Sequence, residues 1–573
     1  MQIDSPIDSF RSGLVLAATL VLAATTVVIA PMLLLGTISG HDCPFHLASW
    51  MDVAKQWQQG TIYPQWAKLA NWGLGEPRFV FYPPASWMLG AALGSLLPWK
   101  AVPICFTALV LVGAGLSMFL LARESMPERQ AALAAMLFTA NPYHLLLIYY
   151  RSDFAELIAS ALFPLLPWGL MQGDRQGWRR VPIVALVLAL IWLSNAPAAV
   201  IAVYSFVFLF VVGCILRRDR RLLLYGTVAT AGGFGLAAFY ILPAAHQLAW
   251  VQINRVIADG LRPEQNVLFS RATSPAVNMD FNWKISCVVV VMTVLMIVAA
   301  MYAAKSSAIP RFRYWLFVAL AAMSVFMMLR FSHPLWLIAP ELHFVQFPWR
   351  FALPFAVAFS FLLGIASRPN RPSIWVAAAI LVLAGPVAKV GLALKKPNSW
   401  KVAEISQLQQ TIDSGIGYPG VPEYLPKSAD SRVLFGNPIR QSNSAWADSH
   451  EFTVSAANED RDRFLVQAIT DRRITLNVLD YPTSRVDLDG LKINSKSEDE
   501  YGRIVVPVSA GKHLIHISVE RTWDAKLGIA ISIFTGGFLS CLLWLTWPHR
   551  KFTELRQSKL EPRFSSATMP AAK

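Results

Sequence analysis

The sequence predicts a polytopic α-helical membrane protein with about twelve transmembrane helices and a small extracytoplasmic β-sandwich domain before the last helix. The 573 residues are 55% hydrophobic and only 15% charged, and the mean hydropathy is +0.46. Several uninterrupted apolar runs approach or exceed the roughly 20 residues that cross the hydrocarbon of a bilayer. A late stretch instead alternates apolar and polar residues, as half-buried strands do.

Basic loops set the expected orientation of the spans, because short loops rich in Lys and Arg lie on the cytoplasmic side. These loops are 122–130, 174–180, 217–221, 305–313, 367–372 and 549–559. The apolar runs between them predict spans near 14–36, 101–122, 130–149, 155–172, 181–196, 197–216, 222–247, 284–304, 313–330, 351–367, 373–392 and 525–547. Both termini are then cytoplasmic, provided that 84–97, a short segment bounded by prolines, lies along the outer surface.

The predicted domains follow from these spans. They are a transmembrane domain at 1–392 with a large first outer loop at 37–100, an extracytoplasmic β-rich domain at 393–524, the final transmembrane helix at 525–547, and a basic cytoplasmic tail at 548–573. In the β-rich domain "RITLNVLDY", "GRIVVPVSA" and "KHLIHISVERT" alternate at period two, and "LDG" and "SAGK" mark turns. This pattern predicts a small antiparallel β-sandwich.

Charge and cysteine content argue against two classes of function. The net charge of +15 would suggest nucleic-acid binding in a soluble protein. Here most Lys and Arg stand in short inter-helix loops, so the topology explains the charge and no nucleic-acid partner is expected. Cysteines are scattered at positions 43, 105, 214, 287 and 541, and four of them lie in apolar runs, which predicts neither a disulfide framework nor a thiolate metal site.

The central parts of the predicted spans contain no Asp, Glu, Lys or Arg, whereas ion-coupled transporters usually place such residues at the membrane midplane. Ionisable residues gather instead at the outer ends, namely His144, Arg151, Asp153, Glu156, His246, Arg330, Lys389, Asp524 and Lys526. Chemistry is therefore expected at the outer membrane–water boundary. That location suits an enzyme whose donor is a lipid with a phosphate headgroup.

The first candidate site is "SGHDCPFHLASW" at 39–50, directly after the first apolar run. Asp42 and His46 are four residues apart, and Trp50 continues the same stripe if a helix begins near Asp42. Asp42 before Pro44 is also typical of an ordinary helix cap. The sequence leaves open whether Asp42 is a cap or a catalytic carboxylate beside an imidazole.

Two further segments carry charge at the same boundary. "NPYHLLLIYYRSDFAE" places Arg151 and Glu156 between two spans, where they form either a surface salt bridge or a phosphate-binding guanidinium beside a carboxylate. "RFSHPLWLIAPELHFVQFPWRF" at 330–351 is interrupted by prolines yet apolar, which predicts a re-entrant or interfacial segment. Arg350 is expected at the outer mouth of the next helix, although Trp349 and Arg350 are also typical of an interface anchor.

These segments resemble a bacterial family of membrane proteins, the 6-pyruvoyl-tetrahydropterin synthase-related membrane domain family. The matching pieces are "GHDCPFHL", "YPQW", "NWGLGEPRFVFYPP", "PYHLLLIYYRSDFAE" and "FPWRF", spread over residues 1–390. That family is similar in layout to GT-C type glycosyltransferases, which take a sugar from a polyprenyl-phosphate donor. The resemblance implies a GT-C-like fold in the bacterial cytoplasmic (inner) membrane. The implied partners are membrane lipid, a polyprenyl-phosphate sugar donor and an extracytoplasmic acceptor, which is a glycan, a lipid or a protein.

The resemblance also implies roles for individual residues. GT-C enzymes carry a catalytic Asp or Glu in the first outer loop, which Asp42 matches, and often a second acid in the next outer loop, which Glu156 matches. The family pattern has Gly and then an apolar residue after the arginine, whereas this chain has Ser152 and Asp153, so either Asp153 or Glu156 is the second acid. Asn195 stands where the family often has a histidine, which leaves that imidazole's role unassigned.

The resulting hypothesis is a sugar transfer through a cation-like transition state. Asp42 is the predicted general base, and Arg350 with Arg151 is expected to stabilise the leaving phosphate. His46 and Glu156 either orient Asp42 or complete with it a site for a divalent metal, Mg²⁺ or Mn²⁺. The predicted substrate-binding residues are Arg350, Arg151, His41, Tyr82, Trp72 and Trp349. Two alternatives stay open: a non-enzymatic flippase, transporter or assembly scaffold for lipid-linked glycans, and a metal-dependent hydrolase of lipid phosphates.

Overall fold

The computed structural model describes residues 6–37, 40–270, 279–304, 309–367, 402–436, 452–456, 463–494 and 500–546, with short pieces between 380 and 389. Within this part the chain is mainly α-helical, and nine helices are long and apolar enough to cross a membrane. They are Ser12–Leu35, Val102–Ala122, Glu128–Arg151, Phe154–Met171, Ala196–Arg217, Asn282–Ala304, Arg311–Met328, Pro348–Ala366 and Trp523–Thr546. The protein is therefore a multi-pass membrane protein.

Three predicted spans differ from this set. The helix Val181–Trp192 has only 12 residues, which is too short to cross the hydrocarbon alone. The span predicted at 222–247 consists of two helical segments, Arg221–Leu236 and Ala238–Trp250, bent by 70°. The second segment is the α-helix Ala238–Gln247 followed by a 3-10 turn, Leu248–Trp250. The span predicted at 373–392 lies almost entirely outside the described residues. The described part thus supplies nine crossings, or ten if the bent pair counts as one, and the total of about twelve remains a prediction.

A side chain from a distant helix explains the bend. Phe239 N donates to Ser532 Oγ at 3.0 Å, and Ser532 Oγ donates to Gly235 O at 3.1 Å. The hydroxyl therefore takes the place of the backbone bond that would join residues 239 and 235 in a straight helix. Insertion of a side chain into the helical ladder is an established cause of a sharp kink. Sequence periodicity carries no sign of it, because Ser532 belongs to the last span.

The helix Pro348–Ala366 lies at the centre of the bundle and is almost wholly buried by its neighbours. The ring of Phe361 stacks on Phe317 of the helix Arg311–Met328, with 3.7 Å between the centroids. The final span Trp523–Thr546 lies at the edge and leaves most of its surface exposed. The central helix thus carries the segment around Arg350 into the interior, which decides the environment of that guanidinium.

Shorter helices complete the helical part, among them one within the segment predicted to lie on the outer surface. They are Cys43–Gln58, Arg78–Phe81, Pro84–Gly94, Val181–Trp192, Arg221–Leu236, Ala238–Gln247, His333–Ile338, Val402–Asp413 and Ser431–Gly436. The helix Pro84–Gly94 packs along the helix Cys43–Gln58. Gly90 allows this close approach, because a Cβ atom there would lie 2.1 Å from the ring of Trp50.

A small β region precedes the last span, as predicted. Its strands are β1 (Phe452–Ala456), β2 (Arg463–Ala468), β3 (Arg472–Leu479), β4 (Ser484–Leu488), β5 (Leu491–Ile493), β6 (Arg503–Val508) and β7 (Gly511–Val519). An antiparallel sheet has the order β1-β2-β7-β4-β5, and β3 pairs with β6. Buried side chains of both sheets, such as Ile474 and Ile515, form one apolar cluster. Classification as a sandwich, and the domain boundaries, remain predictions.

The β region and the segment before it contact the first long loop of the helical part. Leu479 N donates to Leu74 O at 2.9 Å. The ring of Tyr481 lies between Trp66 and Trp250, with centroid distances of 5.8 and 5.6 Å. The helix Val402–Asp413 packs on the helix Cys43–Gln58. Residues late in the chain therefore help to hold the helix that begins at Asp42.

Candidate functional site

Asp42 stands at the start of the helix Cys43–Gln58, with Pro44 in its first turn, but its side chain does not cap the helix. Its carboxylate instead accepts two hydrogen bonds from Arg151, at 2.6 Å from Nη2 and 3.1 Å from Nε. His41 Nδ1 lies 3.2 Å from the other carboxylate oxygen. The ordinary helix cap therefore does not account for Asp42, and the rings of His46 and Trp50 lie 5.9 Å apart on the helix that follows it.

Backbone contacts hold the two charged segments side by side. His41 N donates to Tyr150 O at 3.1 Å, and Asp42 N donates to Arg151 O at 2.7 Å. Gly40 N donates to Ser152 Oγ at 3.0 Å, and a Cβ atom on Gly40 would lie 2.6 Å from Ser152 N. Only glycine therefore fits at position 40, where these two segments of the chain meet.

The backbone around Arg151 is itself irregular. Residues Leu147–Arg151 form a π-helical turn, and Ser152 follows in the left-handed region with a φ of 53°. Such π-turns occur frequently at functional sites, and a non-glycine residue at this φ carries strain. The irregular turn ends the preceding span and directs the Arg151 guanidinium towards Asp42.

A chain of ion pairs leads from Asp42 into the protein. Arg151 Nη2 lies 3.3 Å from Asp153 Oδ2, which in turn lies 3.8 Å from Arg350 Nη2. Arg350 Nε then lies 3.1 Å from Glu156 Oε2. Three carboxylates and two guanidinium groups from three distant segments thus meet in one cluster. We call Asp42, Arg151, Asp153, Glu156 and Arg350 the carboxylate–guanidinium cluster.

Exposure decreases along this cluster. The side chain of Asp42 is 24% exposed and that of Arg151 13%, whereas Asp153 and Arg350 are each 4% exposed and Glu156 is fully buried. Glu156 accepts a hydrogen bond from the Tyr143 hydroxyl, and Arg350 Nη1 donates to Val345 O at 2.8 Å. Only Asp42 and Arg151 are within reach of a substrate that stays outside the protein.

Both candidates for the second acidic residue, Asp153 and Glu156, belong to the carboxylate–guanidinium cluster, but their contacts differ. Asp153 caps the helix Phe154–Leu162 by accepting a hydrogen bond from Glu156 N at 3.0 Å, and it lies between the two arginines. Glu156 pairs with Arg350 alone. Asp153 is therefore the acid that connects the exposed end of the cluster to its buried end.

The electrostatic state of Asp42 follows from its neighbours. Burial raises the pKa of the Asp42 carboxyl group, but the charge of Arg151 and the hydrogen bonds from His41 and Arg151 outweigh it, so this pKa lies below its usual range. The hydrogen bond to Asp42 is the main cause of a raised pKa at His41. Asp42 is therefore a carboxylate at neutral pH.

His46 and Tyr82 lie on the neighbouring, buried side of the Asp42 helix. Nδ1 of His46 is 3.2 Å from Ser86 Oγ, and its Nε2 atom has no hydrogen-bond partner among the described residues. Burial lowers the pKa of His46, so its ring is neutral. The Tyr82 ring lies 5.8 Å from His46 and 4.7 Å from Phe45. Both predicted site residues are thus near the cluster without contacting Asp42.

The structure separates the two tryptophans that were predicted to bind substrate. Trp349 is buried, and its ring centroid lies 5.6 Å from the Arg151 guanidinium carbon. Trp72 packs 5.9 Å from Phe435, in a different apolar cluster that includes Leu425 and Leu479. Trp72 therefore belongs to the junction with the late segments of the chain and not to the carboxylate–guanidinium cluster.

The residues do not fit the divalent metal that was considered for this site. No group of three or more His, Cys, Asp or Glu side chains in the described chain is arranged to hold a metal ion. Asp42 and Glu156 stand at opposite ends of the ion-pair chain. Asp42 accepts hydrogen bonds from Arg151, whereas Glu156 accepts one from Tyr143 and forms an ion pair with Arg350. The trio Asp42, His46 and Glu156 is thus not gathered as a ligand set, and no step of the mechanism below uses a metal.

Sequence reasoning missed a second buried polar network on the same helix. Arg78 Nε binds Glu76 Oε1 at 2.6 Å, and both side chains are at most 2% exposed. Asp52 accepts hydrogen bonds from Tyr418 Oη at 2.7 Å, Gln56 Nε2 at 2.8 Å and Leu69 N at 3.1 Å. The helical stripe gave no signal for Asp52, because Asp52 lies six residues after His46, about 120° away around the helix. The partner Tyr418 gave no signal, because it is 366 residues away.

No family model and no curated protein matches the chain by sequence. Among solved structures it is similar to the mycobacterial arabinofuranosyltransferase AftD, with 17% identity and a TM-score of 0.43 over 68% of this chain and 27% of that one. It is also similar to the oligosaccharyltransferase of Archaeoglobus fulgidus, with 14% identity and a TM-score of 0.41 over 72% and 57% of the two chains. A further structure, archaeal AglB with an inhibitory peptide and a dolichol-phosphate, gives 15% identity and a TM-score of 0.33 over 71% and 56%.

These neighbours are glycosyltransferases by their descriptions, and the chain spans about a quarter of the first and just over half of the others. Membership of the 6-pyruvoyl-tetrahydropterin synthase-related family is not shown, so that resemblance stays a prediction. The location in a bacterial inner membrane and the orientation of the termini likewise stay predictions. The roles assigned to individual residues therefore rest on the geometry of this chain.

Proposed function

We propose that the protein is a membrane glycosyltransferase of the GT-C type. It transfers a sugar from a polyprenyl-phosphate donor to an acceptor hydroxyl at the outer membrane–water boundary. The observation that carries the proposal is the gradient of exposure in the carboxylate–guanidinium cluster. A single carboxylate, Asp42, lies within reach of solvent and is fixed by an arginine, while the charges behind it are buried. A surface salt bridge needs no such buried support.

In the proposed reaction the acceptor oxygen forms a bond to the anomeric carbon, and the bond from that carbon to the phosphate oxygen breaks. The electron pair leaves with the polyprenyl phosphate, and the acceptor proton passes to Asp42. A fixed carboxylate also stabilises the positive charge that develops on the sugar ring. Asp42 and Arg151 are the proposed catalytic residues, with the partly exposed guanidinium group of Arg151 as a donor to the leaving phosphate.

The buried members of the cluster are proposed as positioning residues. Asp153 contacts both arginines, and Glu156 neutralises Arg350. Arg350 is 4% exposed and is bonded to Val345 O, so it supports Arg151 through Asp153 and does not itself meet the lipid phosphate. His46, near the start of the Asp42 helix, packs on Phe154 and helps to set the direction of that helix.

Sugar transfer in isolated membranes tests this proposal. Labelled lipid-linked sugars are supplied as the total polyprenyl-phosphate pool, and label in the acceptor fraction is measured at equal protein amounts. Asp42→Asn is expected to lower transfer by about 100-fold or more, as for loss of a general base. Asp413→Asn, at an exposed carboxylate, is the matched control and should leave transfer unchanged.

Undiminished transfer by Asp42→Asn would refute the proposal. Release of free lipid phosphate without labelled acceptor would favour the hydrolase instead. A third outcome, movement of lipid-linked sugar across the membrane by both the wild type and Asp42→Asn, would favour a transporter.

A further inference from the structure

Two lysines converge on the aromatic ring next to Arg151. Lys389 Nζ lies 4.9 Å from the ring centroid of Tyr150, and Lys284 Nζ lies 6.0 Å from the same centroid. Lys389 Nζ also lies 5.7 Å from the ring of Tyr149 and 3.5 Å from the Tyr149 carbonyl oxygen. We call Lys284, Lys389 and Tyr150 the lysine pair site. Neither lysine has a part in the reaction proposed above.

The described residues place no carboxylate against the positive charge at this site. Within the described ranges no Asp or Glu forms an ion pair with Lys284 or Lys389, whereas Arg151 and Arg350 are both paired with carboxylates. Two ammonium groups that approach the same ring repel each other, and Lys389 is partly buried as well. An arrangement that places like charges together without a counter-ion is typical of a site that binds an anion.

The position of the site restricts what the anion is. Lys284 is exposed in the first turns of the span Asn282–Ala304, so its ammonium group stands at the end of a membrane helix. Lysines at helix ends commonly extend to the headgroup level, and each attracts anionic lipids there. Lysines that merely anchor a helix at the interface each contact a different lipid headgroup around the protein. Here both lysine side chains point to the ring of Tyr150, a residue that is 42% exposed.

The site is also joined to the proposed catalytic carboxylate. Tyr150 O accepts a hydrogen bond from His41 N at 3.1 Å, and the next residue, Arg151, binds Asp42. Consecutive Cα atoms are only about 3.8 Å apart. A phosphate held by the two lysines would therefore lie beside Arg151, and a sugar attached to that phosphate would extend towards Asp42.

We propose that Lys284 and Lys389, with Tyr150 between them, bind the phosphate of a membrane lipid, and that this lipid is the polyprenyl-phosphate donor. The donor assignment rests on the proposed function, whereas binding of a lipid phosphate does not. The lysines hold the phosphate before and after the reaction, and Arg151 contacts it as the sugar leaves. The site thus fixes the depth at which the donor's anomeric carbon meets Asp42.

Lipid binding to the purified full-length chain in nanodiscs tests this inference without any turnover. The probes are a polyprenyl phosphate, phosphatidylglycerol and the neutral phosphatidylcholine, and bound lipid is measured by native mass spectrometry. The Lys284→Gln/Lys389→Gln double variant is expected to bind polyprenyl phosphate about tenfold or more weakly, since each lysine near the surface contributes to attraction of the anion. Lys284→Arg/Lys389→Arg should restore binding, and Lys427→Gln, at an exposed lysine elsewhere, is the matched control.

The binding results distinguish a donor site, a general phospholipid site and the absence of a lipid site. Weaker binding of polyprenyl phosphate with unchanged phosphatidylglycerol supports the donor site. Equal weakening of both lipids supports a general phospholipid site and overturns the donor assignment. Unchanged binding of both overturns the inference altogether. If Asp42→Asn retains sugar transfer while the lysine variant loses binding, the proposed function fails and the lipid-phosphate site stands.

Discussion

The buried ion pair of Glu76 and Arg78 offers a sharp test of how the late segments hold the Asp42 helix. Glu76 also accepts hydrogen bonds from Asn71 Nδ2 at 3.1 Å and Val421 N at 2.9 Å, and Arg78 donates to Ser49 Oγ at 2.9 Å. Glu76→Gln keeps the shape of the side chain and removes its charge. The Arg78 guanidinium then stays buried without its carboxylate.

The size of the effect follows from this burial. Removing one partner of a buried ion pair costs about 3–5 kcal/mol of stability, because the remaining charge is uncompensated. The rings of Phe45 and Tyr418, 4.5 and 5.1 Å from the Arg78 guanidinium carbon, offset a small part of that cost. The double variant Glu76→Gln/Arg78→Met removes both charges and should lose clearly less than the sum of the single changes.

Thermal unfolding of the protein in detergent, followed by tryptophan fluorescence, measures these differences. Limited proteolysis near 417–424 reports whether the late segment has left the helix. Glu264→Gln, at an exposed carboxylate, is the matched control. A Glu76→Gln protein that melts within about 1 °C of the wild type would refute the reasoning, as would a double variant that loses the full sum of both single variants.

Three further changes have definite expected results. Arg151→Gln removes the charge that lowers the pKa of Asp42, so the acidic limb of the pH–rate profile for sugar transfer should move to higher pH, and a limb that stays in place would contradict the assigned pair. Burial raises the pKa of Glu423 to about 7. The wild type should therefore lose up to about 3 kcal/mol of stability as the pH rises from 5 to 8, and melting curves of Glu423→Gln should lack this loss. Trp72→Ala should lower the melting temperature through lost packing on Phe435 yet leave the KM for the donor unchanged, and a raised KM would return Trp72 to the substrate site.

Hydropathy located the spans wherever a single uninterrupted apolar helix crosses the bundle, because length and composition alone decide that property. It failed where a distant residue shapes the backbone, as Ser532 does at Gly235. The predicted span 181–196 extends beyond the helix Val181–Trp192, because the turn after this helix contains the apolar residue Leu193. The β region was predictable because the alternation of apolar and polar residues is likewise a property of each strand's own sequence.

The candidate site was predictable to the extent that Asp42, Arg151 and Arg350 each lie close to the end of a predicted span, at the boundary that the basic loops assign to the outer side. Their mutual contacts were not, because they depend on the left-handed Ser152 and on the close approach at Gly40. Asp52 was missed, since an acid in mid-helix is ordinarily solvated. The packing of Trp72 against Phe435 was not predictable, because an aromatic residue in a loop gives no direction for its ring.

The bond between Asp52 and Tyr418 has a consequence for biosynthesis. Its two residues are separated by 366 positions in the chain. At the usual synthesis rates the ribosome needs about 20–70 s to cover that distance. During this interval the Asp52 carboxylate lacks the hydroxyl group of Tyr418, and water is its only available partner in that direction. A polypeptide released before residue 402 would lack both this hydrogen bond and the helix Val402–Asp413 that packs on the Asp42 helix.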